Sequence, residues 1–342
     1  MRRWPGLASP HRAGAAVLRV FLKRLLRTRT TEPRRGRAGV LLPRPGTRAG
    51  LFALLLIGPL AAQESVIRVD VRLVSVLATV RDASGQLAAG LAKGDFRILS
   101  DGVEQEIAVF ERQTAQPLSV ALLVDASGST AKDLKVEIQA VSRFLGSLLG
   151  EGNPRDTVAF YSFNYEVARH TGFTRNRSSV ERALKMLKGE AGTAVYDALY
   201  LASRDLEDRD GRHVIVLVTD GGDTVSQLDF HAALKAVQTA DAVIYPVLVM
   251  PITSDAGRNI GGENALTNLA AGTGGKVSLA TSGELDAAFA DIISSLRTQY
   301  LLGFYPRNVP LASNRFHRLE VRTARPGLRV SARSGYYPTF PF

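Results

Sequence analysis

Two carboxylates and three hydroxyls stand at points in this 342-residue chain where segment boundaries would bring them together. Asp125-Ala-Ser127-Gly-Ser129 follows an apolar run directly. Gly192-Thr193 precedes a helical stretch, and Asp220 leaves Val214–Val218 through Thr219-Asp220-Gly-Gly. An all-oxygen donor set is hard, and suits Mg²⁺, Mn²⁺ or Ca²⁺ rather than zinc. Two carboxylates neutralise a divalent ion, while Mg²⁺ keeps several waters in its octahedral shell. One position is then open to an outside oxygen, ideally a partner's carboxylate. The candidate metal ligands are Asp125, Ser127, Ser129, Thr193 and Asp220. The cofactor expected is one divalent cation, Mg²⁺ first, with Mn²⁺ or Ca²⁺ as alternatives. Asp197 and Asp223 lie close by in sequence and are candidates only for the surrounding layer.

Each piece alone has an ordinary explanation. Asp and Ser cap helices well, and Asp-Gly-Gly makes turns. Asp-Ala-Ser-Gly even occurs a second time, at 82–85, after an alternating strand and with no helix behind it; that copy reads as a plain turn. The argument for a cation rests on three pieces in order, each at the end of an element that can aim it.

Those elements are legible. Leu118–Val124 is almost continuously apolar, as a parallel strand covered on both faces must be. Behind it, Leu134, Ile138, Val141, Leu145 and Leu148 step by four and three, one stripe of a helix. Strands are expected at Thr157–Phe163, Val214–Val218 and Val243–Val249, and helices at 178–188, 194–207, 229–240, 263–271 and 284–299. Alternating strands and helices specify an α/β fold, doubly wound and Rossmann-like, with a mostly parallel sheet. Ligands bind at the carboxyl ends of strands in such sheets, where the candidate ligands fall.

On either side the pattern is β. Val66–Val76 alternates apolar and polar residues. Phe96–Leu99 and Glu106–Phe110 flank Asp101-Gly102, a hairpin signal. Strands are also expected at 300–305, 317–322 and 328–333. The division expected is a basic leader with signal peptide (1–63), an N-terminal β segment (64–115), the α/β domain (116–299) and a C-terminal β segment (300–342). The two β segments are expected to pair as a smaller β-sandwich-like domain with the α/β part inserted between them. Asp205–Gly211 resembles a calcium loop but lacks its closing Glu, and reads as a solvated helix end.

The five ligand positions resemble the metal-ion-dependent adhesion site (MIDAS) of the von Willebrand factor A (VWA) family, whose pattern is DxSxS, then a Thr, then an Asp. The resemblance covers residues 117–300. It implies that Ser127, Ser129 and Thr193 touch the metal, and that Asp125 and Asp220 act directly or through water. It also implies that helix 284–299 is where a conformational shift would occur. The Asp-Gly hairpin and the Arg-Ser-Gly-Tyr-Tyr337 ending resemble a bacterial VWA-related family common in acidobacteria.

The resemblance implies an adhesion or assembly module that grips a protein partner through an Asp or Glu side chain, and no enzymatic activity. A structural subunit with the metal as a staple is one alternative. A hydrolase using Ser127 is another, but Ser127 lacks a G-x-S-x-G elbow and no histidine motif supports a triad.

The basic balance does not point to nucleic acid. Of 43 Lys and Arg, 13 lie in residues 1–50 beside the single acid Glu32. The rest of the chain, 30 bases against 31 acids, is nearly neutral and offers no phosphate-binding surplus. Leu51–Gln63 is too short to span a bilayer. It fits the apolar core of a secretory signal, with Ala61 and Ala62 at the cleavage position and Arg44 and Arg48 ahead of it. The leader before it is long, so a start near Val40 or Leu41 is one expectation. No transmembrane segment is expected in the mature chain, which should be periplasmic or extracellular. The absence of cysteine excludes disulfides and thiolate sites.

Overall fold

A computed structural model describes residues 73–112, 116–130, 133–250, 259–309 and 315–338. The leader, the apolar segment 51–63 and the start of the alternating stretch at Val66 lie outside them. Four strands come first: Val74–Arg81 (β1), Phe96–Ser100 (β2), Val103–Gln105 (β3) and Ile107–Arg112 (β4). The alternating part follows with Leu118–Asp125 (β5), Leu134–Glu151 (α1), Thr157–Phe163 (β6) and Val167–Thr174 (β7). Next come Arg177–Leu184 (α2), Val195–Leu206 (α3), Arg212–Thr219 (β8) and Phe230–Thr239 (α4). Ala242–Met250 (β9), Ile260–Thr273 (α5), Ser278–Thr281 (β10) and Leu285–Thr298 (α6) complete it. Tyr300–Phe304 (β11), His317–Thr323 (β12), Arg329–Ala332 (β13) and Gly335–Tyr336 (β14) close the described chain.

The six-stranded sheet has the order β10-β9-β8-β5-β6-β7, parallel except for β7. Every residue of β5 is buried, because helices cover both faces. Val120, Leu122 and Val124 pack toward α1, α2 and α6, and Ala121 and Leu123 toward α3, α4 and α5. Period-two side chains on a doubly covered strand give the continuous apolar run seen in the sequence. The α1 stripe buries Leu134, Val141, Leu145 and Leu148, and Phe144 stacks on Phe289 of α6 at 4.9 Å. This is the doubly wound α/β architecture expected.

Two four-stranded antiparallel sheets, β13-β1-β11-β4 and β14-β12-β2-β3, share a second core. In it Phe96 meets Tyr300 at 5.1 Å, and Phe304 meets Tyr336 edge-on. β1 pairs with β11 from Val74 opposite Phe304 to Ala78 opposite Tyr300. Strands from before and after the α/β part therefore lie side by side.

One expectation is corrected. The Asp101-Gly102 turn forms, with φ of 48° and 83°, the left-handed pair a tight hairpin needs. Its return strand is Val103–Gln105, not Glu106–Phe110. The Gln105 side chain bonds the Arg307 backbone in both directions, at 3.1 and 2.8 Å. The chain then crosses to the other sheet, where Ile107–Arg112 pairs with β11. Helix α2 also ends at Leu184, short of the expected 188.

Candidate metal centre

The order of the six-stranded sheet reverses beside β5. The chain moves from β5 to β6 on one side and later returns to β8 on the other. Such a switch point opens a crevice at the carboxyl ends of the strands. Asp125 ends β5 on this edge and Thr219 ends β8, with Val124 and Val218 in register just before them.

Asp125 is fully buried. Its Oδ1 accepts the Ser127 N–H at 2.8 Å, and its Oδ2 accepts the Thr219 hydroxyl at 2.6 Å. A carboxylate has about four lone-pair positions, so acceptor capacity remains. Burial pushes the Asp125 carboxyl up to about 6; the Thr219 and Ser127 hydrogen bonds oppose that rise, and the nearby Asp220 charge adds to it. A buried carboxylate with a second acid near enough to act on it is the setting in which a neighbouring cation would be favoured.

The hydroxyls of Ser127 and Ser129 lie 2.9 Å apart. Ser127 is buried and Ser129 exposed. The Thr130 hydroxyl donates to the Ser127 carbonyl at 2.9 Å, fixing the turn. Ser127 also bridges to Glu190, whose N–H donates to the Ala126 carbonyl at 2.9 Å. That contact draws in the loop carrying Thr193. Gly192 has φ of +88°, and a Cβ there would meet the Tyr165 Cβ at 3.1 Å, so the loop packs closely against its neighbour.

Thr193 is buried. Its N–H donates to the Thr224 hydroxyl and its carbonyl accepts the Thr224 N–H, both at 2.9 Å. The loop after Asp220 is thereby stitched to the loop before α3. Gly222 packs backbone to backbone on Gly262, where a Cβ would come within 2.3 Å of the Gly262 Cα. Asp197 accepts the N–H groups of Gln227 and Leu228 at 3.0 Å each. Asp223 accepts from Tyr196 N–H at 3.3 Å and from the Ser226 hydroxyl. Both acids hold the 223–228 loop to the start of α3.

Among the described residues, no direct hydrogen bond joins Thr193 or Asp220 to the other three candidates; the stitched loops carry them. Nor do any three His, Cys, Asp or Glu side chains gather at metal-binding spacing there. A cation held by these residues would need hydroxyl and water oxygens beside its carboxylates. The Ser127–Ser129 hydroxyl pair beside a buried acid fits that requirement for a hard ion.

Three contributors escaped sequence reasoning. Thr219 orients Asp125, and Thr224 anchors Thr193. Glu137 is the third: it is buried in the first turn of α1, and the charges of Asp125 and Asp220 act on it. Its only signal was an acid interrupting the apolar stripe between Leu134 and Val141.

No curated protein matches the chain. Among solved structures, the vWF domain of the type V pili tip protein Mfa5 from Porphyromonas gingivalis is 16% identical, with a TM-score of 0.46 over 53% of this chain and 95% of that chain. A von Willebrand factor type A structure from Catenulispora acidiphila is 11% identical, with a TM-score of 0.45 over 77% of this chain and 74% of that one. The PilB minor pilin from Streptococcus sanguinis is 13% identical, with a TM-score of 0.42 over 54% of this chain and 62% of that chain. Residues 120–222, and with them all five candidate ligands, match the family model described as von Willebrand factor type A domain.

Proposed function

We propose that this protein is a non-enzymatic binding module that holds one divalent cation and uses it to grip a partner protein. Asp125 and Asp220 supply the balancing charge, and Ser127, Ser129 and Thr193 supply hydroxyl oxygens. Mg²⁺ is the first choice, with Mn²⁺ or Ca²⁺ able to replace it. A side-chain carboxylate of the partner takes the remaining position, in an adhesion or assembly role outside the cytoplasm. The match of residues 120–222 to the von Willebrand factor type A domain supports the binding class. Among the described residues, no helix is long and apolar enough to cross a membrane.

The observation that carries the reading is Asp125: a fully buried acid at the switch point, beside a second acid and a pair of hydroxyls 2.9 Å apart. For the hydrolase alternative, no histidine bonds the Ser127 hydroxyl among the described residues. The Ser127 hydroxyl is bonded to that of Ser129, while His170 bonds Ser162 and His317 bonds Asp101.

Calorimetric titration of Mg²⁺, Mn²⁺ and Ca²⁺ into the purified protein tests the proposal. One-site binding by the wild type, weakened more than about 100-fold in Asp125→Ala, is expected; that exceeds the ten- to hundredfold effect of outer groups. Wild-type protein that binds none of the three refutes the metal-binding reading.

A further inference from the structure

Helix α1 turns its apolar stripe to the sheet, and Glu137 belongs to that stripe. The residue is 1% exposed, among Leu134, Ala140 and Val141. Neither carboxyl oxygen has a hydrogen-bond partner. A buried acid without a partner is costly, and nothing in the packing of α1 requires one there; a leucine would continue the stripe. The charges acting on Glu137 are those of Asp125, Asp220 and Asp133, all acidic. Asp133 itself accepts the Ser282 hydroxyl at 3.0 Å, so it is engaged elsewhere. The first turn of α1 follows the strand end that carries Asp125, and Glu137 lies near enough to the candidate site for the charges of Asp125 and Asp220 to act on it.

We infer that Glu137 is an outer carboxylate of this cation site, whose negative charge helps to hold a divalent cation without bonding it directly. The inference rests on the metal-binding reading above. Direct ligation does not fit, since Asp125, Asp220 and Glu137 do not gather at metal-ligand spacing. A shell water or the field of the ion is the link. Without a cation, burial and the neighbouring acids push Glu137 up to about 8, so it is mostly protonated at neutral pH. A divalent charge beside it reverses that balance. The site then presents three acids to the ion, where sequence motif reasoning counts two.

Two measurements on Glu137→Gln and Glu137→Leu test this: Mn²⁺ affinity by calorimetry, and thermal stability in chelator. The expected result is Mn²⁺ binding weakened about tenfold or more in both variants, with metal-free stability equal to or above wild type. A purely structural role would move affinity and stability down together, and that outcome overturns the inference. Unchanged Mn²⁺ affinity in Glu137→Gln also overturns it, while wild-type binding lost in Asp125→Ala would leave the cation site itself standing. Absence of Mn²⁺ binding by the wild type removes the site and this inference together.

Discussion

The tetrapeptide Asp-Ala-Ser-Gly appears twice, and its two copies do opposite things. At 82–85 it follows β1 in an exposed turn. Asp82 Oδ1 accepts the Ser84 N–H, the Ser84 hydroxyl and the Gln86 N–H at 2.8, 2.6 and 3.0 Å. Those bonds, the Ser84 hydroxyl first, pull its carboxyl below the usual range. Gly85 takes φ of +85° to close the turn. At 125–128 the same residues follow a strand buried on both faces. There burial dominates and pushes Asp125 up to about 6, and the Ser127 hydroxyl also meets that of Ser129. One Asp, in an exposed turn, takes its three bonds from its own turn on a single oxygen. The other is buried in a place where charge is expensive, and that burial is the condition that favours a cation.

Substitutions can break the comparison. The largest contrast expected is in cation affinity: Asp125→Ala should lose it by more than about 100-fold, and Asp82→Ala should leave it unchanged within twofold or so. Equal isotherms for the two variants would mean that burial of Asp125 has no bearing on metal.

The next contrast is in pH. Asp125 is raised in the folded state, so the stability it confers is complete below its usual 3.8 and is lost as pH rises through about 6. Glu137 behaves likewise, and carries the loss to about 8. Asp82 is lowered, so its contribution is present above the usual carboxylate range and disappears as pH falls through its folded value. In chelator, Tm should therefore fall by about 5 °C or more from pH 5 to pH 8. Asp125→Asn should flatten that slope and Asp82→Asn should not. A Tm that rises over this interval in chelator would contradict the burial argument.

Thr219→Val sharpens the picture at one remove. Removing the hydroxyl that orients Asp125 should weaken Mg²⁺ binding about tenfold, measured by the same titration. Smallest of all, Ser84→Ala should shift Tm by no more than about 2 °C and leave binding alone. Ser127→Ala, by contrast, should show its main effect in the isotherm.

Much of the fold could be read from the sequence, for physical reasons that also mark where reading stops. β5 and β8 announce themselves because double coverage demands unbroken apolar runs. β10 does not: Ser278–Thr281 is four residues long, with Leu279 exposed and only Ala280 fully buried. The hairpin partner of β2 was misplaced because the crossing at Gln105 depends on Arg307, two hundred residues away. In the site, five oxygen donors could be named from residue type and position. Thr219 could not, since Thr is a common strand-end residue and only pairing of β5 with β8 brings its hydroxyl to Asp125. Glu137 was hidden because a helical stripe shows which face is buried, but not what lies opposite each position.

The antiparallel partnership of β1 and β11 has a consequence for the order of folding. Val74 must find Phe304 across the whole α/β part, and closing so long a loop is slow while the chain between is unfolded. Once the parallel sheet has formed, β4 leads into the start of β5 and α6 delivers β11, so both strands arrive together. The sandwich should therefore be the last part to acquire protection from hydrogen exchange during refolding, a latch that closes only on a finished interior.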